Sequence, residues 1–497
     1  MPLTKDSVRV RSSVQCTAIN LFTAGAAFDN EMPRSILDYS LVYQLLRPQF
    51  SFVPPEPLTH SLQTGTLGLL RVAGLGIAIA ISGQFSGWNY GLDVGGWGGL
   101  MSAALLTGLF YLAFTQCIAE LAAAMPSAGG FETYCRRAFG VTAGYLTGMS
   151  VLIALAVAIG VVADFTAAYG KAILQIDPLY LKISLFAIVL LMQLRGAREA
   201  VGTTMVVGLI AVLALMAFIF AMAPFASVER LLSPQHALFA HGASGVLGSL
   251  PFALWLFLGV EQSALAAEET ADPGRTIPRA LTIAVATLLI VGLGVLTIGP
   301  AGSGTEVLGR ADDPLYAALT SPLAYGKPTW LTTVIGIGAL IGLIATFFSV
   351  VYTSSRQLYS LARDGYLPSW LAVTNRMHAP HNALAVVTGI GIGAALFPPE
   401  RAMLLVIFLL CVSYIVVLAA FIRLRSQEIR LPRPYRAFGG RISAYAAGAL
   451  CLAILWACFG QQPLGTGYAL IVYAVLLFHF ALTQRRKMAS RASELES

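Results

Sequence analysis

The chain has 497 residues, of which 57% are hydrophobic and only 11% are charged, and its formal net charge is +7. A chain of this length and apolarity cannot present a water-compatible surface, so a soluble globular protein is excluded and an integral membrane protein is indicated. The positive charge does not require a nucleic acid as partner, because the basic residues follow the loops in a pattern typical of membrane topology.

Apolar runs that are long enough to cross a bilayer, about 20 residues each, recur along the chain. Only helices and closed barrels satisfy their backbone hydrogen bonds in lipid, so the runs predict an all-α integral membrane protein with about twelve transmembrane helices. The runs lie near residues 69–92, 97–119, 144–169, 179–195, 202–224, 244–267, 280–301, 331–357, 383–398, 402–422, 442–460 and 466–483.

The lysines and arginines predict the orientation of these helices. If the amino terminus is cytoplasmic, the loops on the cytoplasmic side hold most of the 31 basic residues, as the positive-inside rule requires. We therefore expect a multi-pass protein of the plasma membrane, a bacterial inner membrane, with both termini in the cytoplasm. The basic residues left on the outer side are Lys171, Lys182, Arg230, Arg310, Lys327 and Arg401.

Residues 1–65 precede the first apolar run and predict a cytoplasmic tail that is partly disordered. Arg9 and Arg11, followed by an apolar stretch, faintly mimic a secretory signal peptide. The stretch is interrupted by polar residues, so the tail is the favoured interpretation. Translation from a later start such as Met32 is a further alternative.

The first apolar run contains a stretch that does not suit a spanning helix. Residues 81–91 read Ile-Ser-Gly-Gln-Phe-Ser-Gly-Trp-Asn-Tyr-Gly. Glycine weakens a helix and lipid offers polar groups no partners, so we expect the helix to break here. Irregular backbone at membrane depth lines a cavity or is buried in protein, which indicates a site. The alternative is that Gly83 and Gly87 only allow close packing between helices.

The sixth run is interrupted in a similar way. Pro251 removes a backbone donor, Gly259 loosens the helix, and Glu261 places a carboxylate about halfway through an apolar span. Two interrupted spans five apart predict a 5+5 inverted repeat with broken helices 1 and 6. The expected divisions are a tail at 1–65, repeats at 66–225 and 226–425, two appended helices at 426–484 and a cytoplasmic tail at 485–497.

In this arrangement both breaks meet near the bilayer midplane, where freed amides favour an anionic group and freed carbonyls favour a cation. A zwitterionic or amine-bearing small solute suits such a site. Glu261 is either a proton-linked carboxylate or a structural tie to a neighbouring helix, because an ionised group at this depth is costly unless paired. Asp164 is a weaker candidate, since it lies near the outer end of the third span.

Other functional classes lack supporting motifs. The six cysteines and six histidines show neither metal-ligand spacing nor a disulfide framework, so no metal or cofactor is predicted. No nucleophile and base constellation indicates an enzyme, and no repeated filter motif indicates a channel. A membrane sensor with a permease-like binding site is the rival from a different class.

Three segments on the cytoplasmic side resemble the amino acid-polyamine-organocation (APC) superfamily of permeases. They are Glu120 to Gly140, Gly259 to Arg279 with its Glu-Glu-Thr core, and Arg356 to Pro368. The segments occur in the family's order, and the resemblance covers roughly residues 66–440. It implies a broken-helix inverted-repeat fold with alternating access, usually driven by a proton or by exchange. The sequence leaves sodium open as an alternative coupling ion.

Within that superfamily, the stretches Ser82 to Asn89 and Leu250 to Trp255 look like the ethanolamine permease branch. The first of these stretches departs from the Gly-x-Gly-Ile-Phe form that the first helix has in the more widespread amino acid permeases. The resemblance implies an importer of an amino acid or a small amine such as ethanolamine, with an exchanger as the alternative. It implies Trp255 as the outer gate and Glu261 as the proton-coupling carboxylate. The substrate-binding residues that it implies are Ser82, Gly83, Gln84, Phe85, Ser86, Gly87, Trp88, Ala154, Ile159, Phe252, Trp255, Leu256, Phe257, Leu258 and Gly259.

Overall fold

The computed structural model describes residues 67–496 except 128, 196–199, 232–237 and 429. The tail predicted at 1–65, with the alternative start at Met32, lies outside the described residues. Every regular element in the described part is a helix. The α-helices are α1 (Leu69–Ala80), α2 (Ser82–Phe85), α3 (Tyr90–Ala124), α4 (Phe131–Phe139), α5 (Val141–Leu174), α6 (Pro178–Leu194), α7 (Ala200–Met222), α8 (Val228–Leu231), α9 (Gly242–Trp255), α10 (Pro273–Ser303), α11 (Thr305–Gly309), α12 (Pro314–Thr320), α13 (Trp330–Arg363), α14 (His381–Ala394), α15 (Pro399–Gln427), α16 (Arg441–Gln461) and α17 (Pro463–Glu496). Short 3₁₀ helices occupy Ala223–Phe225, Val260–Glu269 and Ser369–Ala372.

Eight helices among the described residues are long and apolar enough to cross a bilayer singly, and a ninth span is the pair formed by α9 and Val260–Ala267, bent by 42°. Three shorter apolar helices, α1, α6 and α14, lie at three of the other predicted spans. The all-α membrane fold with interrupted first and sixth spans is therefore confirmed.

A single helix, α3, contains the end of the first predicted span and the whole of the second. Gly96 lies inside this helix with φ 68° and ψ −179°, a conformation that glycine adopts far more readily than other residues. The kink separates the last turn of the first span from the second span. The second span thus begins at Trp97, as the sequence predicts.

The third and last spans have opposite environments. In α5, 89% of the most apolar window is buried inside the protein, whereas in α17 the share is 11%. A helix that is apolar and buried all round belongs to the core of a bundle, and an apolar helix with exposed faces borders lipid. The third span is therefore central, and the twelfth is peripheral.

One end of the bundle carries a buried ion cluster, and this end is called the basic face below. Glu120, near the end of α3, lies with Oε1 3.1 Å from Nε of Arg433 and with Oε2 3.4 Å from Nη1 of Arg425. The amide of Ala437 also donates to its Oε2 at 2.7 Å. The Glu120 side chain is only 2% exposed, so α3, α15 and the loop after α15 are joined by a desolvated cluster.

A second carboxylate at the basic face joins α4 to the loop after α13. The buried Glu132 accepts a hydrogen bond from Tyr366 Oη at 3.1 Å and pairs with Arg136 at 3.3 Å. Burial raises the pKa of Glu132, and the positive charge of Arg136 opposes that shift. These contacts fix α4 across the end of the bundle.

The opposite face carries Asp313, which precedes α12. Its backbone oxygen accepts hydrogen bonds from the amides of Tyr316 and Ala317, both at 3.0 Å. Burial raises the pKa of the Asp313 carboxyl to about 6. The folded protein therefore binds this proton more tightly than the unfolded chain does.

We expect Asp313→Asn to flatten part of the pH dependence of stability. Because the pKa is higher in the folded state, the contribution of Asp313 is fully present below the ordinary aspartate pKa and is lost as the pH rises from about 4 to about 6. The loss amounts to at most about 3 kcal/mol. Unfolding of the purified protein in mild detergent, followed across this range, measures it. An unchanged slope in Asp313→Asn would contradict the assignment.

Candidate functional site

The first break lies between α1 and α3. Ser86 is extended, with φ −156° and ψ 160°, and Gly87 has φ 99°. A side chain from the eighth span bridges the gap: Thr346 Oγ1 donates to Ala78 O at 2.8 Å and accepts from Ser82 N at 3.3 Å. Backbone groups that the helix cannot satisfy are thus paired by a side chain from the second repeat.

Further side chains fix the outer part of this break. Asn89 accepts from the amide of Gly87 at 3.0 Å and donates to the carbonyls of Leu308 and Ala311 at 2.8 and 2.9 Å. Tyr169 Oη donates to Phe85 O at 2.8 Å. The irregular backbone is therefore held from α5 and from the loop around α11, which makes it an ordered element.

The second break comprises Leu256–Gly259, and Gly259 has φ 96°. It contacts the first break directly, because a Cβ on Gly83 would lie 2.2 Å from the backbone oxygen of Trp255. Gln84 Nε2 also donates to Leu256 O at 2.9 Å. The two interrupted spans therefore meet backbone to backbone, and only glycine fits at residue 83.

A small cavity of about 20 Å³ lies beside the meeting point of the breaks. This volume holds about one water molecule, so the breaks must separate before a larger solute can enter. Its lining has no charged side chain, and its side-chain hydroxyls come from Ser82 and Thr346. The lining residues are Ile79, Ala80, Ser82, Leu155, Ala158, Val162, Trp255, Leu258, Gly259, Thr346 and Val350.

Glu261 is buried next to the second break. Its Oε1 accepts from Tyr414 Oη at 2.8 Å and from Gln262 Nε2 at 3.1 Å, and its Oε2 accepts from the amide of Gly259 at 3.2 Å. Tyr414 Oη lies 3.3 Å from Tyr111 Oη. The carboxylate thus ties the unwound part of the sixth span to α15 and, through the two hydroxyls, to α3.

The residues predicted to bind substrate occupy three kinds of place. Ser82, Trp255, Leu258 and Gly259 line the cavity. The other predicted residues of the two breaks, and Phe252 in α9, are buried around the cavity. In the breaks these residues are Gly83, Gln84, Phe85, Ser86, Gly87, Trp88, Leu256 and Phe257. Ala154 and Ile159 in α5 are also buried outside the lining.

The orientation of α5 explains where Ala154 and Ile159 lie. Leu155, Ala158 and Val162 line the cavity, and their spacing of three and four residues defines one helix face. Ile159 points elsewhere, since a Cβ on Gly391 of α14 would lie 2.6 Å from its Cγ2. The two predicted residues are thus each one residue away from the face that meets the cavity.

Two buried polar atoms at the breaks have no hydrogen-bond partner among the described residues. They are Gln84 Oε1, whose residue is fully buried, and Trp255 Nε1, whose residue is 3% exposed. An unpaired buried polar atom is costly, so both atoms are available to a solute or to water. The indole of Trp255 also packs on Gly87, where a Cβ would lie 2.7 Å from Nε1.

Asp164, the weaker candidate from the third span, pairs with Lys182 of α6. Lys182 Nζ also donates to Ala395 O at 3.3 Å. The pair joins three helices at their outer ends, away from the cavity lining. No group of three or more histidine, cysteine, aspartate or glutamate side chains that could hold a metal occurs within the described ranges.

Comparison with known proteins gives a consistent result. A family model described as amino acid permease matches residues 66–480. A probable GABA permease of Pseudomonas aeruginosa is 25% identical over 410 residues, covering 77% of this chain and 81% of that protein. An uncharacterised transporter of Rhizobium meliloti is 27% identical over 362 residues, covering 69% and 75%. A solved manganese transporter of Eremococcus coleocola aligns with a TM-score of 0.58 at 12% identity, covering 86% of this chain and 98% of its own, which shows a shared fold.

Proposed function

Because the chain belongs to the amino acid permease family of the APC superfamily, we propose that it imports an amino acid or a small amine by secondary active transport with alternating access. The observation that carries this proposal is the direct contact of the two interrupted spans beside a cavity. A site formed by two half-helices opens to either side when one group of helices moves against the other. This movement does not require the helices of the two repeats to unfold.

The chemistry of the breaks favours a solute that carries an ammonium group. The unpaired Gln84 Oε1 is an acceptor, and the indole of Trp255 offers a surface for a cation. The backbone amides of Ser82 and Gly87 in the first break already donate hydrogen bonds to side chains, so these two amides are not free to bind an anionic group. The relative named a probable GABA permease favours an amino acid, and the glutamine-bearing first break favours ethanolamine, so both classes are proposed.

Glu261 is the proposed proton-coupling group. As a carboxylate it accepts from three donors, and Oε1 alone accepts from both Tyr414 and Gln262. A proton on Oε1 would turn one acceptor into a donor, which Gln262 Nε2 cannot accept and which Tyr414 Oη can accept only if its own hydroxyl turns to donate to Tyr111. The hydrogen bonds that hold the second break would then rearrange. Protonation and movement of the sixth span are linked in this way.

We expect Glu261→Gln to abolish the stimulation of uptake by an inward proton gradient. The amide cannot change its protonation state, so the link between the proton and the second break is lost. Uptake of labelled ethanolamine and of a panel of amino acids into proteoliposomes, with and without the gradient, measures this. Tyr414→Phe is the matched variant, since it removes one donor and keeps the carboxyl. Full stimulation in Glu261→Gln would contradict the proton role.

The same assay separates the alternatives. Uptake that requires a preloaded solute and ignores the gradient would favour an exchanger. Amino acid uptake without ethanolamine uptake would favour an ordinary amino acid permease. Specific binding without uptake of either would favour the sensor. By the positive-inside rule we place the basic face and both termini in the cytoplasm of a bacterial inner membrane.

A further inference from the structure

The loop between α15 and α16 is unusually basic. Residues 430–441, called the arginine turn below, contain four arginines, and the sequence has no acidic residue between Glu428 and Glu494. The turn lies at the basic face, where Ala437 N donates to Glu120. Net positive charge is therefore concentrated at one edge of the bundle.

Within the described part of the chain, Arg433 is the one arginine of the turn that forms an ion pair. Arg433 pairs with Glu120 and donates to the carbonyls of Leu424 and Glu428 at 2.9 and 3.1 Å. Arg430, Arg436 and Arg441 are exposed and form no ion pair with any described residue. Three guanidinium groups are thus left without an anionic partner among the residues that the structure describes.

The arginine turn is continuous with an apolar face of α16. Phe438 is 88% exposed and Ile442 is 78% exposed, and Tyr445, Leu452 and Trp456 continue the exposed face along the helix. The spacing of three, seven and four residues places Ile442 to Trp456 on one side of α16. An apolar face on a membrane-spanning helix borders lipid tails, so its first turn lies at headgroup depth.

We propose that the arginine turn binds the headgroup of an anionic phospholipid such as phosphatidylglycerol. Guanidinium groups match phosphate oxygens in geometry and charge, and exposed aromatic side chains favour the interface between headgroups and tails. The acyl chains lie along the exposed face of α16. A soluble phosphate satisfies the arginines alone, whereas a diacyl lipid also covers Phe438 and Ile442.

The arginine turn also communicates with the helices that form the transport bundle. Glu120 of α3 binds both Arg433 and the amide of Ala437, which precede the turn's two glycines. Those glycines, Gly439 and Gly440, have φ values of 68° and 55° and reverse the chain. A lipid bound at Arg436 and Arg441 therefore fixes the loop that binds Glu120 of α3.

The test compares lipid retention by the purified full-length protein. Detergent-solubilised protein is incubated with phosphatidylglycerol or phosphatidylcholine, and bound lipid is counted by native mass spectrometry. Each arginine near an anionic surface contributes about fivefold in affinity, so Arg436→Gln with Arg441→Gln should weaken phosphatidylglycerol binding by at least about tenfold. Phosphatidylcholine binding should stay unchanged, and lysine at both residues should restore part of the affinity.

The matched control removes the same charge elsewhere on the basic face. Arg363→Gln with Arg376→Gln alters two other exposed arginines and should leave phosphatidylglycerol binding unchanged. Equal weakening by both pairs would overturn the proposal in favour of general surface charge. Unchanged binding in the first pair would also overturn it. Competition by glycerol phosphate as effective as that by the lipid would point instead to a soluble phosphate.

Discussion

Replacing Glu120 by glutamine is expected to lower the free energy of unfolding by about 3 to 5 kcal/mol. Glu120 is the only carboxylate that the described structure pairs with Arg425 and Arg433, and the Arg433 side chain is only 9% exposed. Removing one charge from a buried cluster leaves the others uncompensated, and that penalty exceeds the value of the contact itself. Unfolding of the purified protein in mild detergent gives the measurement.

The matched control for this prediction is Glu428→Gln. Glu428 pairs with Arg137 at 2.8 Å on the same face, but the two side chains are 32% and 49% exposed. Exposed pairs contribute about 0 to 1 kcal/mol, so the control should unfold almost as the parent does. Equal losses in the two variants would show that the Glu120 cluster is no more buried in solution than the surface pair.

The second large effect is expected from Gly83→Ala, which should reduce uptake at least about tenfold. The new Cβ would lie 2.2 Å from Trp255 O and 3.2 Å from Leu256 Cα. Both are backbone atoms, so no side-chain rotation relieves the clash, and the two breaks must move apart. The geometry of the proposed substrate site is lost even where the rest of the bundle folds.

Gly389→Ala is the control for the added methyl group. Gly389 lies in α14 with nothing within 4 Å of the added Cβ, so uptake should be unchanged. Unfolding measured beside uptake separates a local change from a general loss of folding. Normal uptake in Gly83→Ala would show that the two breaks do not need their close contact for transport.

The interruptions of the first and sixth spans are visible in the sequence because their causes are local. Glycine and polar residues inside an apolar run weaken a helix wherever they occur. Gly87 and Gly259, which adopt φ 99° and φ 96°, are both inside the predicted breaks. The number of spans is equally local, since each run shows its own length and apolarity.

The partners of the breaks are not local and could not be predicted from one sequence. Thr346 is one of many hydroxyl-bearing residues in apolar runs, and only its contact with Ala78 and Ser82 distinguishes it. Tyr414 likewise lies 153 residues from Glu261 along the chain. For α5, the sequence predicts the span but not how the helix is rotated about its own axis. A rotation by one residue decides that Ala158, and not Ile159, lies at the cavity.

Accessibility of a single cysteine at residue 82 tests whether the two breaks form the transport route. With Cys16 replaced by serine, the five remaining cysteines all lie among the described residues and are buried, so they give a low background with a membrane-impermeant thiol reagent. Ser82 lines the cavity and is 4% exposed. We expect Ser82→Cys in proteoliposomes to react with reagent from either side of the membrane, and a transported solute to slow the reaction. Reaction from neither side, or a rate that no transported solute changes, would contradict a route through the breaks.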